Sequence, residues 1–537
     1  MTSEQKGGGS GDRQSTSINL DRFKKRLKIL YSHWNKWKSD LWNSSHVISM
    51  VCPPETAAEH LKSTALSMWL LGHKLEDTIM VFMETEMHIL CSTENASILE
   101  ALQGPAKEAI GVDCLLYVKG NRADKEPVLR LMDGLMENIS KGTHISIPIV
   151  GPVAREASCG WVARIWTEKL RSLNFPLHDV VAGFSDLFAV KDHGEIMNVR
   201  KAAYMTDNMM KHRIIPEIED VVDEEDDATH SWLTEKAQKA VSEAVLMVDK
   251  NLLMNPNGVG ICFGPIFQSG GGFDIRLGNG ASSTGLLQYG DAGVAIIALG
   301  CSYNGYCSVM ARMMLFNADP RQTKAYNVLV TAEEAVIGSL RPGVKLGAVY
   351  QAAVSAVERE SPELVPHLTE TAGSSMGLEF LEPGWVIEAR NERAVRQNMV
   401  FNVYLGFQDL QDGQSGCTFS MVLADTVVGV EETEVVTQRC SKLPKDVSYS
   451  FTEEDEEDED EDEGMHEEKP TTFDGKETRG VAAIGQDTHK MISGDLTLEQ
   501  WLDLEFPRVP KGPRSSRRPQ QPKVPKGPRS RRRRWLG

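Results

Sequence analysis

The chain has 537 residues, of which 41% are hydrophobic and 25% are charged, an ordinary composition for a globular protein. This length suffices for about three to four folding units and excludes collagen-like, mini-protein and wholly disordered classes. The formal net charge of −18 at pH 7 favours cationic partners, although solubility alone accounts equally well for it.

Membrane and metal-module classes are not indicated by the sequence. No apolar run approaches the length of a membrane helix, and the polar residues 1–17 lack the apolar core of a secretory signal. The nine cysteines are scattered and form no CxxC pair, which predicts a reducing compartment and no zinc module.

Residues 18–177 have the pattern of a mixed α/β lobe, preceded by a disordered lead over residues 1–17. A first helix is predicted to begin near Asn19 or Asp21, since either residue can cap it. Further elements follow in chain order: a hairpin from Thr78–Met83 and Met87–Cys91, a strand over Ile110–Val118, a helix over Val128–Met136 and a strand over Ile145–Val150.

Residues 178–445 predict a second lobe of the α+β class with an antiparallel sheet. Asn304-Gly305 is a strong hairpin signal between two apolar strands. The predicted elements are helices over Met205–Ile215, ended by Pro216, and Ser231–Val248, strands over Val294–Gly300 and Tyr306–Phe316, and helices over Thr323–Leu340 and Leu346–Arg359.

Beyond the second lobe the sequence predicts disordered tails of opposite charge. An acidic linker over residues 446–470 contains 13 carboxylates between Glu453 and Glu468 and no basic residue. A further linker over residues 471–506 carries one short predicted helix. The Pro/Arg-rich tail over residues 507–537 has 12 basic residues between Arg508 and Arg534.

Two catalytic motifs are present only in weak form. Gly258 and Gly260 are followed by Gly264, one residue too late for a dinucleotide fingerprint, so turns explain these glycines better. Ser375 lies in a GxSxG match, but the segment before it is polar and Glu382-Pro-Gly384 after it breaks a helix. A strand before the serine and a helix after it are what such a nucleophile needs.

The central hairpin carries no histidine or carboxylate, yet its glycines and aromatics resemble those of the pita-bread metallopeptidases. The segments that carry this resemblance are Gly290-Asp291, Gly300, Tyr303–Tyr306, Arg312 and Gly373–Phe380. In that family two aspartates, one histidine and two glutamates bind two metal ions. The corresponding positions here are Ala298, Val309, Ser374, Tyr404 and Ala424. The resemblance therefore implies a peptidase fold without metal, cofactor or peptidase activity, because these side chains cannot replace the lost ligands.

A second and longer resemblance covers residues 18 to about 480 and is to the large subunit of FACT, especially its plant form. It rests on Ile18–Leu27, Leu30–Trp34, Phe267–Gly271, Tyr303–Ser308 and Asp446–Phe451. FACT is a nuclear histone chaperone that reorganises nucleosomes during transcription elongation, DNA replication and DNA repair. The resemblance implies a creatinase-like lobe over residues 18–177, a catalytically inactive pita-bread lobe over residues 178–445, and a chromatin-associated protein of the nucleus.

The resemblance also implies core histones and nucleosomes as partners, no membrane, and the small high-mobility-group-type subunit through segments downstream of those matched. The candidate histone-binding residues are Glu453, Glu454, Asp455, Glu456, Glu457 and Asp458. The candidates for nuclear import, or for a weak DNA phosphate contact, are Arg531, Arg532, Arg533 and Arg534.

Several alternatives remain open at this point. The acidic run also fits a solvated linker, and the basic tail also fits pairing with that run. The alternative functions are an active pita-bread metallopeptidase, a serine hydrolase at Ser375, and an inert truncated paralogue.

Overall fold

The computed structural model describes residues 17–453 and 533–536, apart from residues 55–60, 121–124, 144, 146, 249–254, 256–257, 271–274, 276–284, 291–292, 412–417, 430–433 and 438–445. The disordered lead predicted for residues 1–17 falls outside this part of the chain except for its last residue, and the linker over residues 471–506 falls wholly outside it. Among the helices of the described residues, none combines the length and the apolar character that a membrane span requires.

The first lobe is a five-stranded mixed sheet between two layers of helices. The strand order is β4-β3-β2-β1-β5, with β3/β4 and β1/β5 parallel and the inner pairs antiparallel. The strands are β1 (Val47–Cys52), β2 (Thr78–Phe82), β3 (Glu86–Ser92), β4 (Asp113–Lys119) and β5 (Val150–Pro152). The helices are α1 (Leu20–Lys36), α2 (Lys62–Leu71), α3 (Thr93–Leu99), α4 (Gln103–Ile110), α5 (Lys125–Gly142) and α6 (Trp161–Ser172).

Successive side chains of the strands point to opposite faces of the sheet, so the apolar side chains of this lobe form two cores. Ile48 and Met50 of β1 pack with α1 and α2, whereas Val47 packs with α5 and α6 on the other face. Helix α1 begins where predicted, because the Asn19 side chain accepts the Arg22 backbone N–H (2.9 Å). The predicted hairpin is confirmed as β2 and β3.

The second lobe is built on a large sheet with the path β10-β9-β11-β12-β8-β14-β15, to which β6, β7 and β13 attach. Its strands are β6 (Val259–Ser269), β7 (Gly293–Tyr303), β8 (Tyr306–Phe316), β9 (Thr371–Ser375), β10 (Val386–Glu388), β11 (Met399–Gln411), β12 (Thr418–Gly429), β13 (Glu434–Val435), β14 (Asp446–Glu453) and β15 (Arg533–Leu536). Its helices are α7 (Val181–Ala189), α8 (His193–Met209), α9 (Ile215–Asp223), α10 (His230–Val248), α11 (Pro320–Ser339) and α12 (Leu346–Glu360).

The predicted central hairpin is confirmed as β7 and β8, which pair along their whole length. Its turn uses Asn304 and Gly305 with φ angles of 48° and 80°. Positive φ at both central residues matches the twist of the flanking strands, and asparagine and glycine adopt it at low cost. Every residue of β8 is buried, which makes this hairpin the centre of the lobe.

The predicted end of a helix at Pro216 is wrong. Helix α8 passes through a π-helical turn, Met210–Ile214, directly into α9, and Pro216 lies in the first turn of α9. Proline is tolerated there because a first-turn N–H has no partner within the helix. The strand predicted over Ile145–Val150 is also misplaced, since β5 covers Val150–Pro152.

The border between the lobes lies close to α7. Phe184 and Phe188 of this helix pack into the core that α1 and α2 share with the first sheet. The boundary predicted between residues 177 and 178 thus assigns α7 to the second lobe, although its aromatic side chains pack in the core of the first lobe.

The acidic linker predicted over residues 446–470 begins with a strand. Strand β14 runs parallel to β8 and antiparallel to β15, so that Glu453 lies opposite Arg533 and Thr452 opposite Arg534. This register brings the start of the acidic run beside the end of the basic tail. The other candidate residues of the two tails, Glu454 to Asp458, Arg531 and Arg532, lie outside the described residues.

Candidate functional site

The five positions predicted to have lost their metal ligands lie on one face of the large sheet. Ala298 is opposite Ala311, which is opposite Ala424, which is in turn opposite Tyr404. Residues directly opposite each other in antiparallel strands point to the same face, and so do residues two apart. Val309 is two residues from Ala311, and Ser374 is opposite Asn402, two residues from Tyr404. The folding of five strands therefore brings all five positions together.

These five side chains supply little that can bind an ion. Ala298, Val309 and Ala424 have no ligand atom and expose 2% or less of their surface. The Ser374 hydroxyl accepts the Glu382 backbone N–H (3.2 Å) and donates to the Ser375 carbonyl (2.9 Å). Nowhere in the described part of the chain do three or more His, Cys, Asp or Glu side chains form a metal-binding group.

The structure gives Ser375 a structural role. Its buried hydroxyl donates to the Val400 carbonyl of β11 (3.1 Å). Gly373 of the same motif has φ +105°, and a Cβ there would lie 1.9 Å from the Asn402 carbonyl oxygen. The glycine and serine of the GxSxG match thus stabilise the pairing of β9 with β11. A nucleophile elbow requires a helix directly after the serine, and the described residues after Ser375 form none.

A buried ion cluster lies immediately beside these positions, where the two lobes meet. The Lys62 ammonium of α2 contacts both Glu379 and Glu382, and none of the three side chains is more than 2% exposed. At the rim of the cluster, Arg155 donates a hydrogen bond to Glu379 Oε1 (2.6 Å). Lys191 lies on the other side and donates to the Ala189 carbonyl (3.0 Å).

The charges of this cluster depend on one another. Burial alone would lower the pKa of Lys62, but the carboxylates of Glu382 and Glu379 outweigh it and raise that pKa. Burial raises the pKa of the Glu382 carboxyl, and the positive charge of Lys62 partly offsets this rise. Burial lowers the pKa of Lys191 to about 8. Lys62 is therefore the cation that the two buried carboxylates share.

Sequence reasoning missed this cluster, because Lys62 and Glu382 are separated by 320 residues. The one available signal was Glu379, since it belongs to the Gly373–Phe380 segment that carries the peptidase resemblance. In this chain Glu379 binds cations of the first lobe, and the segment acts as an inter-lobe connector.

A second buried ion pair crosses the large sheet on its opposite face. Arg312 of β8 donates to Asp425 Oδ1 (2.8 Å) and to the carbonyls of Ala311 (2.9 Å) and Ala424 (3.0 Å). Thr437 also donates to Asp425 Oδ1 (2.6 Å). Since Ala311 and Ala424 carry two of these contacts, the pair fixes the register of the strands on which the candidate site lies.

Two families of known proteins match successive parts of this chain. Residues 18–183 match the FACT complex subunit SPT16 N-terminal lobe domain, and residues 198–438 match metallopeptidase family M24. The FACT complex subunit SPT16 of Zea mays is 43% identical over 83% of this chain, and that of Saccharomyces cerevisiae is 27% identical over 78%. The chain spans 42% and 41% of the length of these two relatives.

Solved structures show the same relationship. The N-terminal domain of FACT complex subunit SPT16 from Cicer arietinum is 45% identical and superposes with a TM-score of 0.74, covering 78% of this chain and 97% of that one. The prolidase from Thermococcus sibiricus is 16% identical with a TM-score of 0.55, covering 77% of this chain and 96% of that one. The expected fold, a creatinase-like lobe followed by a pita-bread lobe, is thereby confirmed.

Proposed function

Because this chain belongs to the family of the N-terminal domain of the FACT complex subunit SPT16, we propose that it is a non-catalytic histone-binding component of that histone chaperone. In this role it binds core histones and nucleosomes in the nucleus and helps to reorganise chromatin during transcription elongation, DNA replication and DNA repair. Pairing with the small high-mobility-group-type subunit belongs to segments downstream of those matched here.

The observation that carries the proposal is the chemistry of the five positions on the sheet face. A peptidase of this fold needs carboxylate and imidazole ligands to hold its ions and activate water. Alanine, valine, serine and tyrosine occupy those positions, and three of the five side chains carry no ligand atom. The same scaffold without its ligands supports binding without hydrolysis.

Electrostatics supports histones as the partners. The net charge of −18 attracts proteins rich in lysine and arginine, and 13 carboxylates are concentrated between Glu453 and Glu468. We assign Arg531, Arg532, Arg533 and Arg534 either to nuclear import or to a weak contact with DNA phosphates. Added salt would weaken such a phosphate contact.

Neutralising the acidic run is expected to weaken histone binding. Replacing the carboxylates from Glu453 to Glu468 with their amides should lower the affinity for core histones about tenfold at about 0.1 M salt, with a smaller loss at about 0.3 M. The measurement is fluorescence anisotropy of labelled core histones titrated with the full chain.

The control neutralises the five exposed acidic residues 223–227, at the end of α9 and in the turn after it in the second lobe. This variant should retain nearly the full affinity. If amide replacement in the run leaves the affinity unchanged, the lobes hold the histones instead. If the unaltered chain binds no histone at about 0.1 M salt, the inert-paralogue alternative is correct and the proposal fails.

A further inference from the structure

A groove of about 590 Å³ lies along the junction of the two lobes, away from the sheet face described above. One wall is the C-terminal half of α1, and the other comes from α7 and the segment before β11. Its lining residues are Lys28, Ile29, Ser32, His33, Lys36, Trp37, Asp186 and Arg396.

The groove exposes large apolar side chains. Ile29 is 41% exposed and Trp37 is 36% exposed, whereas the other side of α1 is packed into the core of the first lobe. Lys28, Ser32 and Lys36 follow one another at intervals of four residues, so they form a strip about 12 Å long on the helix surface. That length matches about two turns of a docked helix.

The rim of the groove is cationic. Among the described residues neither Lys28 nor Lys36 has a salt-bridge partner, and the Lys36 ammonium lies 4.9 Å from the centre of the Trp37 ring. Both lysines are solvent-exposed. The rim thus carries two positive charges on either side of exposed apolar surface.

The floor of the groove is already neutral. The Arg396 guanidinium contacts the Asp186 carboxylate at 3.2 Å, and His33 Nε2 lies 3.0 Å from the same carboxylate. The Trp42 indole donates to His33 Nδ1 (3.1 Å), so the His33 ring is held between this indole and the Asp186 carboxylate. The positive charge available to a ligand is therefore that of the two lysines.

We propose that this groove binds an acidic peptide segment of another protein, one that places an aromatic or large aliphatic side chain between its carboxylates. The carboxylates pair with Lys28 and Lys36, and the apolar side chain covers Ile29 and Trp37. Histone tails, which are cationic, are repelled by the same rim. The groove thus gives the chain an attachment point separate from its acidic surfaces, and it does not depend on the proposed function.

An acidic peptide is favoured over nucleic acid by the apolar surface of the groove. Beside the lysines and Ser32, the exposed side chains of Ile29 and Trp37 are apolar, which suits a hydrophobic side chain better than a sugar–phosphate backbone.

The test uses a fluorescein-labelled 12-residue synthetic peptide in which glutamates alternate with leucine and a central tryptophan, titrated with the full chain. Lys28→Gln combined with Lys36→Gln should weaken binding about tenfold at about 0.05 M salt, and Trp37→Ala should weaken it about fivefold. The double variant Lys25→Gln, Lys74→Gln removes the same charge from exposed sites outside the groove and should change affinity less than about twofold.

Thermal unfolding of each variant shows whether it is folded, and the lysine substitutions should leave the midpoint nearly unchanged. A peptide with glutamine in place of glutamate should bind at least about tenfold more weakly. Equal loss in the control double variant would overturn the proposal, because binding would then follow net charge alone. Tighter binding of a 20-base-pair DNA duplex that depends on Lys28 and Lys36 would also overturn it, in favour of nucleic acid.

Discussion

Replacing Lys62 with methionine is expected to lower the free energy of unfolding by about 3–5 kcal/mol at pH 7. Methionine keeps the apolar length of the lysine but leaves the Glu379 and Glu382 carboxylates buried without their shared cation. Arg155 still contacts Glu379 from the rim, and the Lys191 charge still acts on Glu382. Urea unfolding followed by tryptophan fluorescence measures the loss.

The same variant has a characteristic pH dependence. Burial already raises the pKa of Glu382, and without Lys62 that pKa rises further. A carboxyl with a higher pKa in the folded than in the unfolded chain binds more protons when folded, so stability falls as pH rises. The deficit of Lys62→Met should therefore be largest at neutral pH and should shrink as pH is lowered towards the raised pKa.

Two controls separate this effect from general damage. Lys107→Met removes an ion pair with Asp113 whose two side chains are 57% and 56% exposed, and it should cost less than about 1 kcal/mol. Adding Glu382→Gln to Lys62→Met should recover a large part of the lost stability at pH 7. A Lys62→Met protein as stable as the unaltered chain, with no pH dependence of its own, would show that the cluster does not join the lobes.

Substituting Arg312 with leucine should be comparably damaging, about 3–5 kcal/mol. This guanidinium is fully buried and holds Asp425 together with the Ala311 and Ala424 carbonyls. Burial would lower the pKa of Arg312, but Asp425, followed by Glu333 and Asp207, outweighs it and raises that pKa. Its removal leaves several buried carboxylates without their common cation.

Removing the charge of the partner, Asp425, is expected to cost less stability than removing Arg312. Asp425→Asn leaves Arg312 with the carbonyl acceptors and with the nearby Glu333 and Asp207 charges, so the loss should be clearly smaller than that of Arg312→Leu. The double variant Arg312→Leu, Asp425→Leu should regain part of the stability. Urea midpoints give the order of the three variants. A milder effect for Arg312→Leu than for Asp425→Asn would contradict this account.

Local signals in the sequence were sufficient for the elements that position the site. The Asn304-Gly305 turn specifies the central hairpin, and the nearly continuous apolar runs of β7 and β8 indicate strands that are buried on both faces. The five former ligand positions were identified by matching segments of this sequence to the pita-bread metallopeptidases. Their convergence on one face depends on the pairing of β8 with β12, which no local pattern specifies.

Other features depended on contacts between distant parts of the chain. The cluster around Lys62 joins residues of both lobes, and each of its members looks like an ordinary surface charge in the sequence. Pro216 was misread because a proline in the interior of a helix ends it, whereas a proline in the first turn is accommodated. The π-helical turn before Pro216 leaves no sequence signature. The groove beside Trp37 forms only when α1 meets Arg396 of the second lobe.

The most direct test of the central claim is the metal content of the purified chain, measured after incubation with manganese or cobalt and again after chelation, alongside hydrolysis of an Xaa-Pro dipeptide and histone binding. We predict no retained ion, no hydrolysis and a histone affinity that chelation does not change, with Ser374→Ala combined with Tyr404→Phe behaving identically. About two ions per chain, with hydrolysis that disappears on chelation, would establish a working metallopeptidase and contradict the non-catalytic role.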